Sequence, residues 1–218
     1  MVFKYILAGV LGYLLGNISS GYLVAQAYGL RDIRKHGSGN SGTTNVLRTL
    51  GWLPSVLTLF GDFLKGYLGC LIGRALGGDL GMLIGGFCAI LGHDFPVFLG
   101  FKGGKGIATS LGLVIAINPW MGLAELLVQV VAVAITRTMS IASLITTVAF
   151  PVLVVVMERG RPNFPLFLGF AIAASCLALF GHRANIDRLI KGKENTLDFH
   201  KITNISKKVM QKMRKKKS

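Results

Sequence analysis

With 218 residues, a mean hydropathy of +0.59 and only 15% charged residues, the chain lacks the charge needed to clothe a soluble domain of its size. Its net charge of +15 invites a nucleic-acid reading, but aromatic residues are not interleaved with the basic ones, so no nucleic-acid partner is expected. Cys70, Cys88 and Cys176 lie singly inside apolar runs without CxxC spacing and read as small buried hydrophobes, with no metal site and no cofactor expected.

Apolar stretches fall at 3–24, 52–74, 79–98, 106–118, 119–136, 139–157 and 163–181. The first resembles a signal peptide only loosely. Lys4 precedes it and Ala25-Gln26-Ala27 mimics a cleavage site, but polar Asn17, Ser19 and Ser20 favour a retained helix. The stretch 106–118 is short for a span and is parted from the next by Asn118-Pro119. A re-entrant hairpin or one kinked span are its alternatives to two crossings.

Basic residues decide the count. With the N-terminus outside and seven crossings, the inner segments hold Arg31, Arg34, Lys35 and Arg48, then Lys102 and Lys105, then Arg137, then every basic residue from Arg183 onward. The outer segments keep only Lys4, Arg74, Arg159 and Arg161. That asymmetry obeys the positive-inside rule. The expectation is an all-α integral membrane bundle of seven transmembrane helices, N-terminus outside and C-terminus cytoplasmic. A single membrane domain covers 1–195 and a basic tail 196–218. Four polar inner segments then converge on one cytoplasmic face.

The first inner segment runs from Arg31 to Arg48 and holds Gly37-Ser38-Gly39-Asn40-Ser41-Gly42. Glycine turns with free N–H groups bind anions, Ser38, Asn40 and Asn45 add hydrogen bonds, and Arg48 can clasp a phosphate. An ordinary Gly/Ser/Asn turn is the plain alternative. The second carries Lys102-Gly103-Gly104-Lys105-Gly106 before an apolar helix, joining two cations to backbone donors and a helix N-terminus. It does not match the P-loop spacing, so ATP is not implied. In the third, Ser140 and Ser143 lie one turn apart. The fourth places His182 and Asn185 on one helical face, with Glu194 beyond. Inside the second apolar stretch Asp62 and Lys65 form an i, i+3 pair, expected to support the site rather than do chemistry.

Three of these motifs together resemble a known family. Gly37-Ser-Gly-Asn40-x-Gly42-x-Thr44-Asn45-x-Leu47-Arg48, His93-x-Phe-Pro-Val-Phe-x-Gly-Phe-Lys-Gly-Gly-Lys-Gly106 and Gly181-His-Arg-x-Asn-Ile-x-Arg-Leu-x-x-Gly-x-Glu194 are similar to the signatures of the bacterial acyl-phosphate:glycerol-3-phosphate acyltransferases. Asp62-x-x-Lys65-Gly66 fits too, and the resemblance runs in order through residues 1–195. Thr43 stands where the family has a small Ala, and Asn17-Ile-Ser-Ser20 where it has a Ser-Ile-Pro type of turn.

The resemblance implies acyl transfer from acyl phosphate to the 1-hydroxyl of glycerol 3-phosphate, giving lysophosphatidate. It implies the bacterial inner membrane as location, an acyl-phosphate synthase as indirect partner, and Ser38, Arg48, Lys105, His182 and Asn185 around the substrates. The leaving phosphate needs little acid catalysis. The task is to hold two phosphates together and aim the hydroxyl, for which Arg48, Lys105, Lys102 and the glycine amides suit; such positioning supplies about 7–11 kcal/mol. His182 or a substrate phosphate oxygen takes the proton.

Two rivals stand beside this reading. His182-x-x-x-x-Asp187 matches the HxxxxD motif of acyl-CoA-dependent acyltransferases, though no acyltransferase domain follows it. A transporter of a phosphorylated metabolite would also show broken spans and intramembrane charge, but no repeat relates the two halves. In the tail, Ile202, Ile205, Val209 and Met213 recur at helical spacing among lysines. The pattern predicts an amphipathic helix on the anionic cytoplasmic leaflet, dispensable for turnover.

Overall fold

The structure is a computed structural model that describes residues 2–215. All of its regular elements are helical. In chain order they are α1 (Val2–Asn17), α2 (Ser20–Ala27), α3 (Thr43–Leu50), α4 (Trp52–Asp94), α5 (Ile107–Ile117), α6 (Pro119–Thr136), α7 (Met139–Glu158), α8 (Phe164–Gly181), α9 (Arg183–Ile190) and α10 (Phe199–Lys215). Short 3-10 turns occupy Ile33–Lys35 and Val97–Leu99.

Among the described residues five helical segments are long and apolar enough to cross a membrane: Val2–Ala27, Trp52–Leu99, Pro119–Thr136, Met139–Glu158 and Phe164–Gly181. The seven apolar stretches of the sequence map onto these unevenly. The stretches at 52–74 and 79–98 are two arms of α4, which bends where Gly77 and Gly78 leave helical geometry, Gly78 at φ +62°. The arms fold back so closely that a Cβ on Gly73 would strike the backbone of Gly81, and one on Gly85 the backbone of Gly69. Glycine at Gly12, Gly16 and Gly92 brings α1 against the second arm in the same way, and Gly66 and Gly112 seat α5 on the first. Small residues are the expected interface material where no hydrophobic effect drives helices together. The stretch 106–118 is an 11-residue helix, about 16 Å long, roughly half the hydrocarbon thickness.

The main core joins Cys70, Met82, Leu83 and Ile90 of α4 to Leu113 and Val114 of α5, Phe150 and Val154 of α7 and Phe167 of α8. The first apolar stretch breaks at Ile18 and Ser19, between α1 and α2. The break is satisfied from within: Lys65 Nζ donates to Ile18 O at 2.8 Å, and Val97 N–H donates to Asn17 Oδ1 at 2.6 Å. At the other end of the bundle, Asn118 caps α6 by accepting from Trp120 N–H and donates to the fully buried Glu158, which also pairs with Arg161.

The tail departs from expectation. α10 forms, but its apolar face lies on the protein and not on lipid. Ile202 is buried beside Leu47 and Leu197, and Val209 packs on the cluster of Ala25, Ile33, Val46 and Leu50. Ser206 Oγ accepts from Trp52 N–H at 3.0 Å and Phe199 stacks on Trp52 at 6.1 Å. The family of contacts is explained by α3, whose amphipathic character leaves an apolar face that α10 covers. Lys201, Lys207, Lys208 and Lys212 remain exposed.

Candidate active site

The loop before α3 is shaped by one side chain. Asn45 is almost fully buried; its Nδ2 donates to the carbonyls of Ile33, His36 and Asn40 at 3.2, 2.9 and 2.7 Å, and its Oδ1 accepts from Ser38 N–H at 2.8 Å. Gly37 is left-handed at φ +58° and its missing Cβ is the space that Asn45 Oδ1 fills. Asn40 is used similarly, accepting from Gly42 N–H at 2.8 Å and donating to Gly103 O at 3.1 Å, so the first two polar segments are tied together. Both asparagines therefore serve the loop backbone, and this shape sets Ser38 at the edge of a cavity of about 420 Å³.

Arg48, one turn into α3 from Asn45, donates through one Nη to Asn195 O at 3.0 Å, while its Nε is buried without a partner among the described residues. Burial lowers its affinity for the proton from the ordinary guanidinium value, opposed by Glu194, and it stays a cation. An unpartnered buried N–H on a cation is what an incoming oxyanion would satisfy.

Lys105 enters from the loop before α5. Its Nζ donates to Asn185 Oδ1; Asn185 Nδ2 donates to Glu194 Oε1 at 3.0 Å, and Arg188 Nε to Glu194 Oε2 at 2.8 Å. The orientation of the Asn185 amide follows, with oxygen toward the cation and nitrogen toward the carboxylate. Burial, with Arg188 nearby, pushes Lys105 down to about 8. Burial raises Glu194, but its hydrogen bonds from Arg188 and Asn185 outweigh that and hold the carboxyl below the usual range.

His182 caps α8 and is 3% exposed. Its Nδ1 lies 2.8 Å from Ala178 O, which can only accept, so Nδ1 carries the hydrogen and Nε2 keeps its lone pair. Burial and then Lys105 push the ring down to about 4, leaving it neutral near pH 7. Asp187 is not its partner: that carboxylate is exposed and paired with Lys191 at 2.8 Å. The HxxxxD geometry is absent.

The cavity brings together Ser38, Asn40, Asn45, Arg48, Asp62, Lys105, Gly106, Ser140, Ser143, His182, Asn185 and Glu194 of the sequence-predicted set. Lys102, Gly103 and Gly104 do not line it. Lys102 is exposed on the loop, Gly103 packs on His93 O and Pro96, and Gly104 lies flat on the His93 ring, where any Cβ would collide. Lys65 stands behind the wall. Its three donors go to Asp62 Oδ1 at 2.9 Å, His93 Nδ1 at 2.8 Å and Ile18 O. Gly106, at φ +72°, has its Cβ position against Ile90 and Asp94 and starts α5 beside Lys105, so the positive end of that helix adds to the cation.

Two ionisable cavity residues lie outside the set marked by the sequence, His93 and Glu125. His93 stood inside a quoted motif, and the i, i+28 spacing from Lys65 becomes readable only once α4 folds back. Glu125 stood as one acid in an apolar run. The remaining wall is mostly apolar, including Leu59, Ile107, Leu111, Leu126, Val130, Val133 and Leu197, with Gln129 and Thr146 among its polar members.

A cationic pocket that opens into an apolar trough between long apolar helices defines a membrane protein handling an amphiphile with an anionic head. Comparison with known proteins gives the particular family. Residues 6–192 match the family model of glycerol-3-phosphate acyltransferase. A glycerol-3-phosphate acyltransferase of Clostridioides difficile is 41% identical over 202 residues, covering 90% of this chain and 97% of the relative. One of Geobacter sulfurreducens is 43% identical over 196 residues, covering 89% and 98%. Crystal structures of PlsY, an integral membrane glycerol 3-phosphate acyltransferase, superpose with TM-scores of 0.83 for the glycerol 3-phosphate form and 0.81 for the lysophosphatidic acid form. These are 38% and 37% identical, each covering 91% of this chain and 98% of the PlsY chain. The chain belongs to the glycerol-3-phosphate acyltransferase family and is a multi-pass membrane protein.

Proposed function

We propose that the protein transfers a fatty acyl group from acyl phosphate to the 1-hydroxyl of glycerol 3-phosphate, releasing lysophosphatidate and inorganic phosphate as the first step of phospholipid synthesis. The observation that carries this is the division of one cavity into a cationic end, with Arg48 and Lys105, and an apolar arm. The bound forms of the PlsY structures, glycerol 3-phosphate and lysophosphatidic acid, are an acceptor and a product of that kind.

Arg48 and Lys105 hold the two phosphates, which repel one another, at hydrogen-bonding range of a shared cation pair; Ser38 and the start of α5 add donors. The acceptor hydroxyl attacks the acyl carbonyl carbon as the bond to the phosphate oxygen breaks, and the hydroxyl proton leaves to His182 Nε2. That nitrogen suits the role because Ala178 O fixes the tautomer. Ser140 and Ser143, one turn apart on α7, line the same wall and offer hydroxyls to the acceptor.

The same reading puts the cationic end at the cytoplasmic face of the inner membrane, with seven crossings counted as the five long segments, the second arm of α4 and the short α5. Lys/Arg placement supports it. The exposed lysines of α10 then meet anionic headgroups at the surface, and an acyl-phosphate synthase supplies the donor. The test follows product by phosphorus NMR: purified protein with glycerol 3-phosphate and palmitoyl phosphate yields one lysophosphatidate and one phosphate per turnover. Phosphate release without lysophosphatidate would make the protein a hydrolase and defeat the proposal.

A further inference from the structure

The apolar arm carries a carboxyl that the transfer chemistry does not use. Glu125, in the first half of α6, is 5% exposed and lines the cavity, and its Oε2 has no hydrogen-bond partner among the described residues. One turn on, Gln129 lines the same cavity and its Oε1 accepts from Thr146 Oγ1 at 2.7 Å. An ionisable residue inside a spanning helix is costly and marks a functional position.

Its depth can be read from the helices. Gly122 packs on Ile115 across the turn between α5 and α6, which sets Glu125 level with Gly112. That is seven residues along from Lys105, ~10 Å at the helical rise. Counting instead down α7 from Ser140 to Thr146, across to Gln129 and on to Glu125 gives ~15 Å. By either route the carboxyl lies far from the phosphates and the reacting carbonyl, beside the middle of a chain lying in the arm.

We propose that Glu125 is a specificity-determining residue that favours acyl donors bearing a hydrogen-bonding oxygen, such as a hydroxyl, in mid-chain over plain alkyl donors. The proposal rests on the acyl-phosphate reading above. A methylene chain passing the carboxyl removes its water and replaces nothing, whereas a hydroxyl restores the lost hydrogen bond. Sites built to hydrogen-bond a substrate discriminate strongly against the analogue without the group, because their own buried atoms are then left unpaired.

The test compares kcat/KM for stearoyl phosphate and a mid-chain hydroxystearoyl phosphate in wild type, Glu125→Leu and Glu125→Gln, in vesicles of one composition. Wild type should prefer the hydroxylated donor. That preference should fall about ten-fold or more in Glu125→Leu and stay within about three-fold in Glu125→Gln, with the glycerol 3-phosphate KM unmoved. If Glu125→Leu does not fold, Glu125→Met, unbranched and similar in length, is read the same way. An unchanged donor ratio in an active apolar variant overturns the proposal, and so does a wild type that prefers the plain chain. A wild type that uses neither acyl phosphate counts against the acyl-phosphate reading itself.

Discussion

Lys105 Nζ donates to Asn185 Oδ1, joining the loop before α5 to α9 across 80 residues of chain. Asn185 in turn holds Glu194, so a neutral amide keeps the lysine and the carboxylate from meeting as a closed ion pair. The cation stays available to a phosphate.

Removing that spacer should be severe. Asn185→Ala is expected to lower kcat/KM about 100-fold, the scale of losing one preorganised donor or acceptor in an active site. Asp187→Asn should keep most of the activity, since among the described residues Asp187 pairs with exposed Lys191 alone. Steady-state assays of the two variants check this, and the reverse ranking would restore an HxxxxD mechanism.

The pH profile follows from two groups. Lys105, pushed down to about 8, is charged below that pH and neutral above it. The kcat/KM for glycerol 3-phosphate reports the free enzyme and should therefore fall as pH rises through about 8. Lys105→Arg, with a guanidinium that stays charged, should lose this alkaline limb at a lower plateau. His182, pushed down to about 4, stays neutral above that value and should impose no acid limb between pH 5 and 7. A profile of initial rates from pH 5 to 10 reads both.

Gly104→Ala tests how the glycine motif works. A methyl intruding on bound phosphate, as the glycine motif alone suggests, would raise the glycerol 3-phosphate KM more than the acyl phosphate KM. In the structure the Cβ position of Gly104 is occupied by the His93 ring, whose Nδ1 lies 2.8 Å from Lys65 Nζ and 3.5 Å from Asp62 Oδ1. The expected outcome is overpacking that costs about 1–3 kcal/mol, with both substrates affected. Unfolding curves together with the two KM values distinguish the outcomes.

The tail should matter to stability more than the sequence suggests. Ile202, 3% exposed between Leu47 and Leu197, seats α10 on the helix that carries Arg48. Ile202→Ala is expected to destabilise by about 2–5 kcal/mol, and truncation after Leu197 to lower the unfolding temperature with turnover reduced but present. Thermal unfolding in detergent with parallel activity assays measures this.

These cases show what residue patterns carry and what they leave out. Motif spacing marked Ser38, Arg48, Lys105, His182, Asn185 and Glu194, and all of them face one cavity. Adjacent membership in a motif does not give side-chain direction: Lys102, Gly103 and Gly104 share a motif with Lys105, and the loop turns them away from the cavity. Asn45 was legible as important but not as the organiser of its own loop, because its partners are backbone atoms up to 12 residues off. Glu125 was hidden by averaging over the apolar run around it. The amphipathic tail was legible as a helix; its partner face on α3 was not, since an apolar face alone does not say whether lipid or protein covers it.

Donor identity is the most direct measurement of the central claim. Purified protein is given glycerol 3-phosphate and either palmitoyl phosphate or palmitoyl-CoA as sole donor, and lysophosphatidate is quantified. The cavity, with its paired cations for two phosphates and no HxxxxD geometry, predicts product with palmitoyl phosphate and none above background with palmitoyl-CoA. Equal or greater product from palmitoyl-CoA would contradict it.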